Sequence, residues 1–316
     1  MKNVFEEIKS KLDSASIKIY LFEKKETKKV PFVVYKLLFG TDIREKISKI
    51  LMDEIDNYIN QIEELNNKIP DYNPDEEQPI FKINTSEIKD FQEIYPYITE
   101  EKEPEIISKD TLNEINKIKA WIIKIEFESD KITKQFLFFQ KFIKSQFMHT
   151  KKMFFILDND EFKLVKDNIL GMGNTFDIIL MDNFFISKNL SKFEYIFNFV
   201  EYYQNESKDF INSFEQITFL KIDNEAKNKI LSKIETSKRF AHKLYTAQRN
   251  KYYKKIDMEK LKILKKDIPI GVEIKNNKII IDKNTDLDDL VKVLNDDYEQ
   301  SLITENKYIS HKKEKL

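Results

Sequence analysis

The side chains able to do bond-making chemistry are few and scattered. The three histidines, His149, His242 and His311, are far apart in a chain of 316 residues. None has the HxxxH or HExxH spacing by which one helix presents two ligands to zinc. Cysteine is absent, which excludes thiolate metal sites, iron–sulfur clusters, disulfides and cysteine nucleophiles. Of the four glycines, Gly40, Gly171, Gly173 and Gly271, only Gly171-Met172-Gly173 approaches a phosphate-cradling loop, and it lacks the third glycine and the Lys-Ser/Thr pair. One nuclease-like pattern exists: Glu273-Ile274-Lys275 on a predicted hairpin, with Asp257 or Asp267 upstream as the metal-binding acid. With 55 acidic and 54 basic residues, chance alone supplies about nine acid-x-base triplets, so a strand with exposed charges is the simpler reading. Asn295-Asp296-Asp297-Tyr298 could offer two carboxylates to a cation, but the same residues make an ordinary turn after a helix, with Tyr298 packing inward. These residue types single out no catalytic residue, no metal site and no cofactor.

The stronger signal is electrostatic. The net charge is −1, yet residues 238–266 hold 11 basic and 2 acidic side chains, a local charge of +9. Phe240, Tyr245, Tyr252 and Tyr253 are interleaved among them. On a helix Arg239, His242 and Lys243 share a broad face that Arg249 joins loosely, and Lys251, Lys254 and Lys255 follow at the next turn. Such a stripe can neutralise phosphates and release their counterions, with arginine adding bidentate contacts. The candidate DNA-binding residues are therefore Lys238, Arg239, Lys243, Arg249, Lys251, Lys254 and Lys255; the plainer reading is a solvated helix face. A smaller basic group, Lys141, Lys144, His149, Lys151 and Lys152, joins two predicted strands and reads more simply as a loop. Lys312, Lys313 and Lys315 read as a frayed terminus. Residues 53–110 carry the opposite charge, 17 acidic against 5 basic, or −12. That stretch keeps the protein soluble, docks on a basic partner, or mimics phosphate and occupies the basic stripe when DNA is absent. In the last case, deleting Asp75, Glu76 and Glu77 raises DNA affinity.

The elements that must position these residues follow from periodicity. Val4, Ile8 and Leu12 mark a first amphipathic helix, residues 17–21 and 31–38 two strands, and Ile43, Ile47, Ile50, Leu51, Ile55, Ile59 and Ile62 the stripe of a long helix capped by Thr41 or Asp42. Residues 70–110, with Pro70, Pro74, Pro79, Pro96 and Pro104, predict a short strand at 80–83, a helix at 87–94 and surface connection. From 118 the pattern turns to β: 123–127 with 132–142, 153–157 with 162–165, and 176–180 with 184–186. No connection among them is long enough for a helical crossover, so the meander is expected to be antiparallel. Trp121 falls in a strand and reads as core. A helix starting at Ser191 carries Phe193, Ile196, Phe197, Val200 and Tyr203, and more helices fit 208–214, 224–234, 237–253 and 258–265. Asn276-Asn277 suits the positive φ angles of a tight hairpin between 272–275 and 278–282, and Asp286 caps a last helix. The fold class is α+β: an N-terminal α/β portion, a central antiparallel β meander, and a C-terminal helical region with a closing β-hairpin. No apolar run approaches a membrane span, and the acidic opening Met1-Lys2-Asn3-Val4-Phe5-Glu6-Glu7 reads as no signal peptide.

Three blocks of the second half resemble a known family. Phe176-Asp177-Ile178-Ile179-Leu180-Met181-Asp182-Asn183-Phe184-Phe185-Ile186, followed by Phe193-Glu194-Tyr195-Ile196-Phe197, resembles the strand–strand–helix block of the KwaB family of the bacterial Kiwa anti-phage defence system. Lys238-Arg239-Phe240-Ala241-His242-Lys243-Leu244 is similar to its Arg-Phe-Ala-Arg-Lys-Leu segment, with His242 at an arginine position. Val293-Leu294-Asn295-Asp296-Asp297-Tyr298, then Ser301, Thr304 and Tyr308, is similar to its closing motif. The resemblance covers residues 115–316 and suggests two domains: 1–110, an N-terminal α+β region with the acidic connection, and 111–316, the KwaB-like core. It implies a non-enzymatic defence subunit that forms a homodimer and binds double-stranded DNA without strong sequence preference. It also implies a cytoplasmic location at the inner face of the membrane, beside a transmembrane KwaA-like partner, and a block of phage DNA replication or expression. A metal-dependent nuclease centred on Glu273 and Lys275, or a scaffold that touches only protein, are the alternatives.

Overall fold

The computed structural model describes residues 2–25, 32–74, 76, 78–108, 118–148, 155–158, 161–164, 169–300 and 307–309. The chain forms two compact units, one of residues 1–72 and 78–198, the other of residues 73–77 and 199–316. Among the described residues no helix is long and apolar enough to cross a membrane.

The first unit is built on an eight-stranded sheet. Its strands are β1 (Ser16–Lys24), β2 (Phe32–Leu37), β3 (Phe81–Asn84), β4 (Glu105–Ile106), β5 (Ile118–Ser129), β6 (Ile132–Lys141), β11 (Ile178–Met181) and β12 (Phe184–Ser187). Their spatial order is β3-β12-β11-β6-β5-β1-β2-β4, antiparallel throughout except for the β2–β4 edge. Two pieces stand outside it: β7 (Phe147–Met148) pairs with β10 (Ile169–Leu170), and β8 (Phe155–Asp158) with β9 (Glu161–Leu164). The expected antiparallel meander is therefore present, but the β8–β9 hairpin is a separate ribbon and β6 pairs directly with β11. Helices α1 (Lys2–Lys11) and α2 (Thr41–Glu64) cover one face, where Phe5, Ile8, Leu51, Ile55 and Tyr58 share a buried cluster with Ile19, Ile123, Ile125 and Phe138. On the other face lie α3 (Lys89–Ile98) and α4 (Leu190–Phe197). Phe91 there stacks edge-on against Phe185 at 4.8 Å, and Phe197 lies 5.2 Å from Phe139. Apolar side chains thus fill both faces, which makes β5 nearly continuous in its burial.

That double covering accounts for one departure from the alternating pattern. Lys124, on the face expected to meet solvent, is only 2% exposed. Its Nζ donates to the Ile98 carbonyl at the end of α3 (3.0 Å) and pairs with Glu126 (2.7 Å). The network continues through Lys18, which bridges Glu126 and Glu100. Glu100 also accepts from Lys36 Nζ (2.7 Å) and the Tyr20 hydroxyl (3.1 Å). The Lys36 ammonium first, and Lys18 after it, lower the Glu100 carboxyl from 4.5 to about 2. A carboxylate depressed by folding contributes stability that is complete above its unfolded pKa and lost as pH falls through its folded one. The window here runs from about pH 4.5 down to about 2. Because 35% of the side chain faces solvent, screening reduces the effect: Glu100→Gln is expected to cost about 1 kcal/mol at pH 7 and nothing measurable at pH 2. Urea unfolding at the two pH values measures it, and an equal cost at both would refute this assignment.

The second unit is mainly helical: α5 (Phe199–Asn212), α6 (Asn224–Thr236), α7 (Lys238–Asn250), α8 (Met258–Asp267) and α9 (Leu287–Asn295). The single helix expected through 193–203 is broken at Asn198, whose φ of 50° ends α4 in the left-handed region. The helix expected over 237–253 likewise stops at Lys251 (φ 55°), and residues 252–255 make a 3₁₀ turn. A small sheet places β15 (Lys278–Ile281) between β14 (Glu273–Lys275) and β13 (Leu220–Ile222), the last running parallel to β15. Asn276 and Asn277 turn the β14–β15 hairpin at φ 49° and 58°, and Asp286 caps α9 by accepting from the amides of Asp288 and Asp289. The chain packs so tightly beside this cap that a Cβ on Gly271 would lie 2.5 Å from that of Asp286. Strands β16 (Tyr298–Gln300) and β17 (Lys307–Ile309) pair antiparallel near the end.

Candidate nucleic-acid interface

Helix α7 owes its place to a wide apolar face. Phe240, Ala241, Leu244, Tyr245, Thr246 and Ala247 are buried, and the Ser237 hydroxyl caps the helix by accepting from the Phe240 amide at 3.3 Å. Two neighbours fix its rotation. From α5, Ser207 Oγ donates to the Ala241 carbonyl (2.8 Å), and Tyr203 meets His242 edge-on at 5.3 Å. From the end of α9, Asn295 Nδ2 donates to the Lys243 carbonyl at 3.0 Å.

Once α7 is held this way, its cations separate into two groups. Lys238, Arg239, Lys251, Lys254 and Lys255 are exposed. Lys243 and Arg249 are half-buried and engaged inside the unit: Lys243 Nζ lies 3.7 Å from Asp297, itself 4% exposed, and Arg249 Nη1 donates to the Tyr245 hydroxyl at 2.8 Å. Of the interleaved aromatics, Phe240, Tyr245 and Tyr253 are core, with the Tyr253 ring tilted against Phe210 at 5.1 Å, whereas Tyr252 is half-buried and lines a groove of about 480 Å³ with Lys255, Leu261, Val293 and Tyr298.

Lys238 and Arg239 occupy the first turn of α7, where no acidic residue is found. The helix macrodipole disfavours cations there, so helix stability does not account for their presence.

The remaining candidates fall as follows. The Asn295-Asp296-Asp297 run is the turn expected of it: Asp296 (φ 56°) ends α9, and the Asp297 amide closes the turn on the Lys292 carbonyl at 2.9 Å. Tyr298 is half-buried, and that burial, reinforced by Asp289, Asp297 and Asp286, raises its hydroxyl. Glu273 and Lys275 lie on one face of β14 and neutralise each other at 2.6 Å. Asp257 spends its carboxylate capping α8 through the Glu259 and Lys260 amides, and Asp267 is the last residue of that helix. Among the described residues no group of three or more His, Asp or Glu side chains is placed to hold a metal ion. In the first unit, Lys119 and Lys141 each hold their ammonium 4.3 Å from the centre of the Tyr195 ring. Lys144 is exposed; His149, Lys151, Lys152 and the Lys312, Lys313 and Lys315 tail lie outside the described residues.

Two of the blocks that carry the family resemblance, far apart in sequence, thus meet through Asn295, Lys243 and Asp297. The third forms β11, β12 and α4, where Lys192 pairs with the buried Asp177 at 2.5 Å. The family model described as "Kiwa protein KwaB-like" matches residues 115–304. The chain belongs to the KwaB-like family. It is therefore a component of the Kiwa type of anti-phage defence. No curated protein and no solved structure matches it. In this KwaB-like chain, the Lys243–Asp297 contact and the inward turn of Arg249 escaped the sequence reading. The only available signal was that Lys243 and Asp297 lie within family blocks and Arg249 a few residues after one, with no indication of which way a helical lysine points.

Proposed function

We propose that this KwaB-like subunit holds double-stranded DNA by its phosphates, without strong sequence preference and without cutting it. The observation that carries the reading is the exposure of Lys238, Arg239, Lys251, Lys254 and Lys255 at the two ends of one helix in a chain of net charge −1. The ends of α7 are about 20 Å apart at 1.5 Å per residue, enough to reach phosphates on both sides of a major groove about 12 Å wide. Backbone contacts of this kind position a protein on any duplex and read no bases. As the family implies, a second copy would present a second such helix, and a KwaA-like transmembrane partner would hold the subunit at the inner face of the membrane. DNA gripped there is withdrawn from replication and expression.

The test is binding of a fluorescent duplex at two salt concentrations with magnesium present, followed by gel analysis of the DNA. Five phosphate contacts give a logarithmic salt slope of about −4.5, a loss of several hundred-fold in affinity between about 50 and 200 mM salt. The DNA is expected to stay intact. Magnesium-dependent cutting that disappears in Glu273→Ala would replace this reading with a nuclease, and absence of binding at low salt would leave a protein scaffold.

A further inference from the structure

Asn73, Pro74 and Glu76 belong to the compact unit of residues 199–316, while the chain on either side of the turn belongs to the other unit. They come from the acidic connection, whose sequence there is Asn73-Pro74-Asp75-Glu76-Glu77. Asn250, the last residue of α7, donates from Nδ2 to Asn73 Oδ1 at 3.2 Å. Asn73 in turn donates from Nδ2 to Glu76 Oε1 at 2.7 Å, and the Glu76 amide closes the turn on the Asn73 carbonyl at 3.2 Å. One asparagine side chain therefore ties a carboxylate to the end of the basic helix, at the residue between Arg249 and Lys251.

We propose that this acidic turn is a built-in competitor for the DNA backbone, occupying the C-terminal end of the α7 surface and giving way when a duplex binds. The inference rests on the DNA-binding reading above. Tied to Asn73 at the end of α7, the Glu76 charge repels a phosphate that approaches within the screening length of about 8–10 Å. The turn is tethered, so it faces its site at an effective concentration in the millimolar range, and the single Asn250–Asn73 hydrogen bond holds it at the helix end. A tethered competitor lowers affinity for every duplex by the same factor. The subunit then engages DNA only where its local concentration is high.

The experiment measures duplex affinity at low salt for the full chain and three variants. Glu76→Gln removes the charge. Asn73→Ala removes the bridge to Asn250 without changing any charge. Glu101→Gln makes the same charge change at an exposed position of the same acidic region. The first two are expected to bind about threefold to tenfold more tightly than the wild type, while Glu101→Gln stays within about twofold, all with unchanged melting temperatures. Equal tightening in Glu76→Gln and Glu101→Gln with none in Asn73→Ala would reduce the effect to net charge and overturn the proposal. Unchanged affinity in both turn variants, beside a wild type that binds, would also overturn it. A wild type that fails to bind would instead remove the DNA reading beneath it.

Discussion

Reversing Lys254 and Lys255 to glutamate is expected to weaken binding to any duplex by about two orders of magnitude at low salt. Both side chains are exposed on the 3₁₀ turn that follows α7, and that turn is held by its backbone and by the buried Tyr253 ring. The substitution should therefore leave the melting temperature where it was. Losing two of five contacts lowers the steepness of the salt dependence from about −4.5 to about −2.7. The loss should be the same for three duplexes of unrelated sequence, because phosphate contacts carry no sequence information. Anisotropy titrations over a range of salt give both quantities. A variant that discriminates among the three duplexes would show that these lysines reach base edges, and one with wild-type affinity would take the turn out of the interface.

What could be read from the chain depended on how local the cause was. Asp286 before α9 and the Asn276-Asn277 turn both act within a few residues, and the structure places each as expected. The α+β class and the antiparallel hairpins β5–β6 and β11–β12 followed from periodicity and short connections. The sheet order did not. β1 pairs not only with β2, its neighbour in sequence, but also with β5 on its other side, a pairing across a hundred residues of sequence to which no local pattern points. Lys124 belongs with these: its alternation with apolar neighbours reads as a wet face, and only the arrival of α3 over that face turns it inward to the Ile98 carbonyl. Composition located the basic segment but could not sort its cations, because an isolated helix has no preferred rotation. Rotation is set by Ser207 and Asn295 on neighbouring helices.

That sorting leads to the converse result for Lys243. Lys243→Met is expected to lower the unfolding free energy by about 2 kcal/mol while leaving the DNA affinity of the folded protein within about twofold. Asp297 is 6% exposed at its side chain, and the Lys243 ammonium 3.7 Å away is half-buried with it. Removing the ammonium takes the cation away from a buried carboxylate, which costs more than the intact pair contributes. Asp297→Asn keeps the shape and abolishes the charge, so it should cost less. Combining it with Lys243→Met should recover part of the loss, a positive coupling in a double-mutant cycle. Urea unfolding of the four proteins supplies the cycle, and duplex titration of the same samples supplies the contrast with Lys254 and Lys255. If Lys243→Met instead keeps its stability and loses affinity, Lys243 leaves Asp297 to meet phosphate, and the junction of α7 with the end of α9 is part of the binding surface, not the frame behind it.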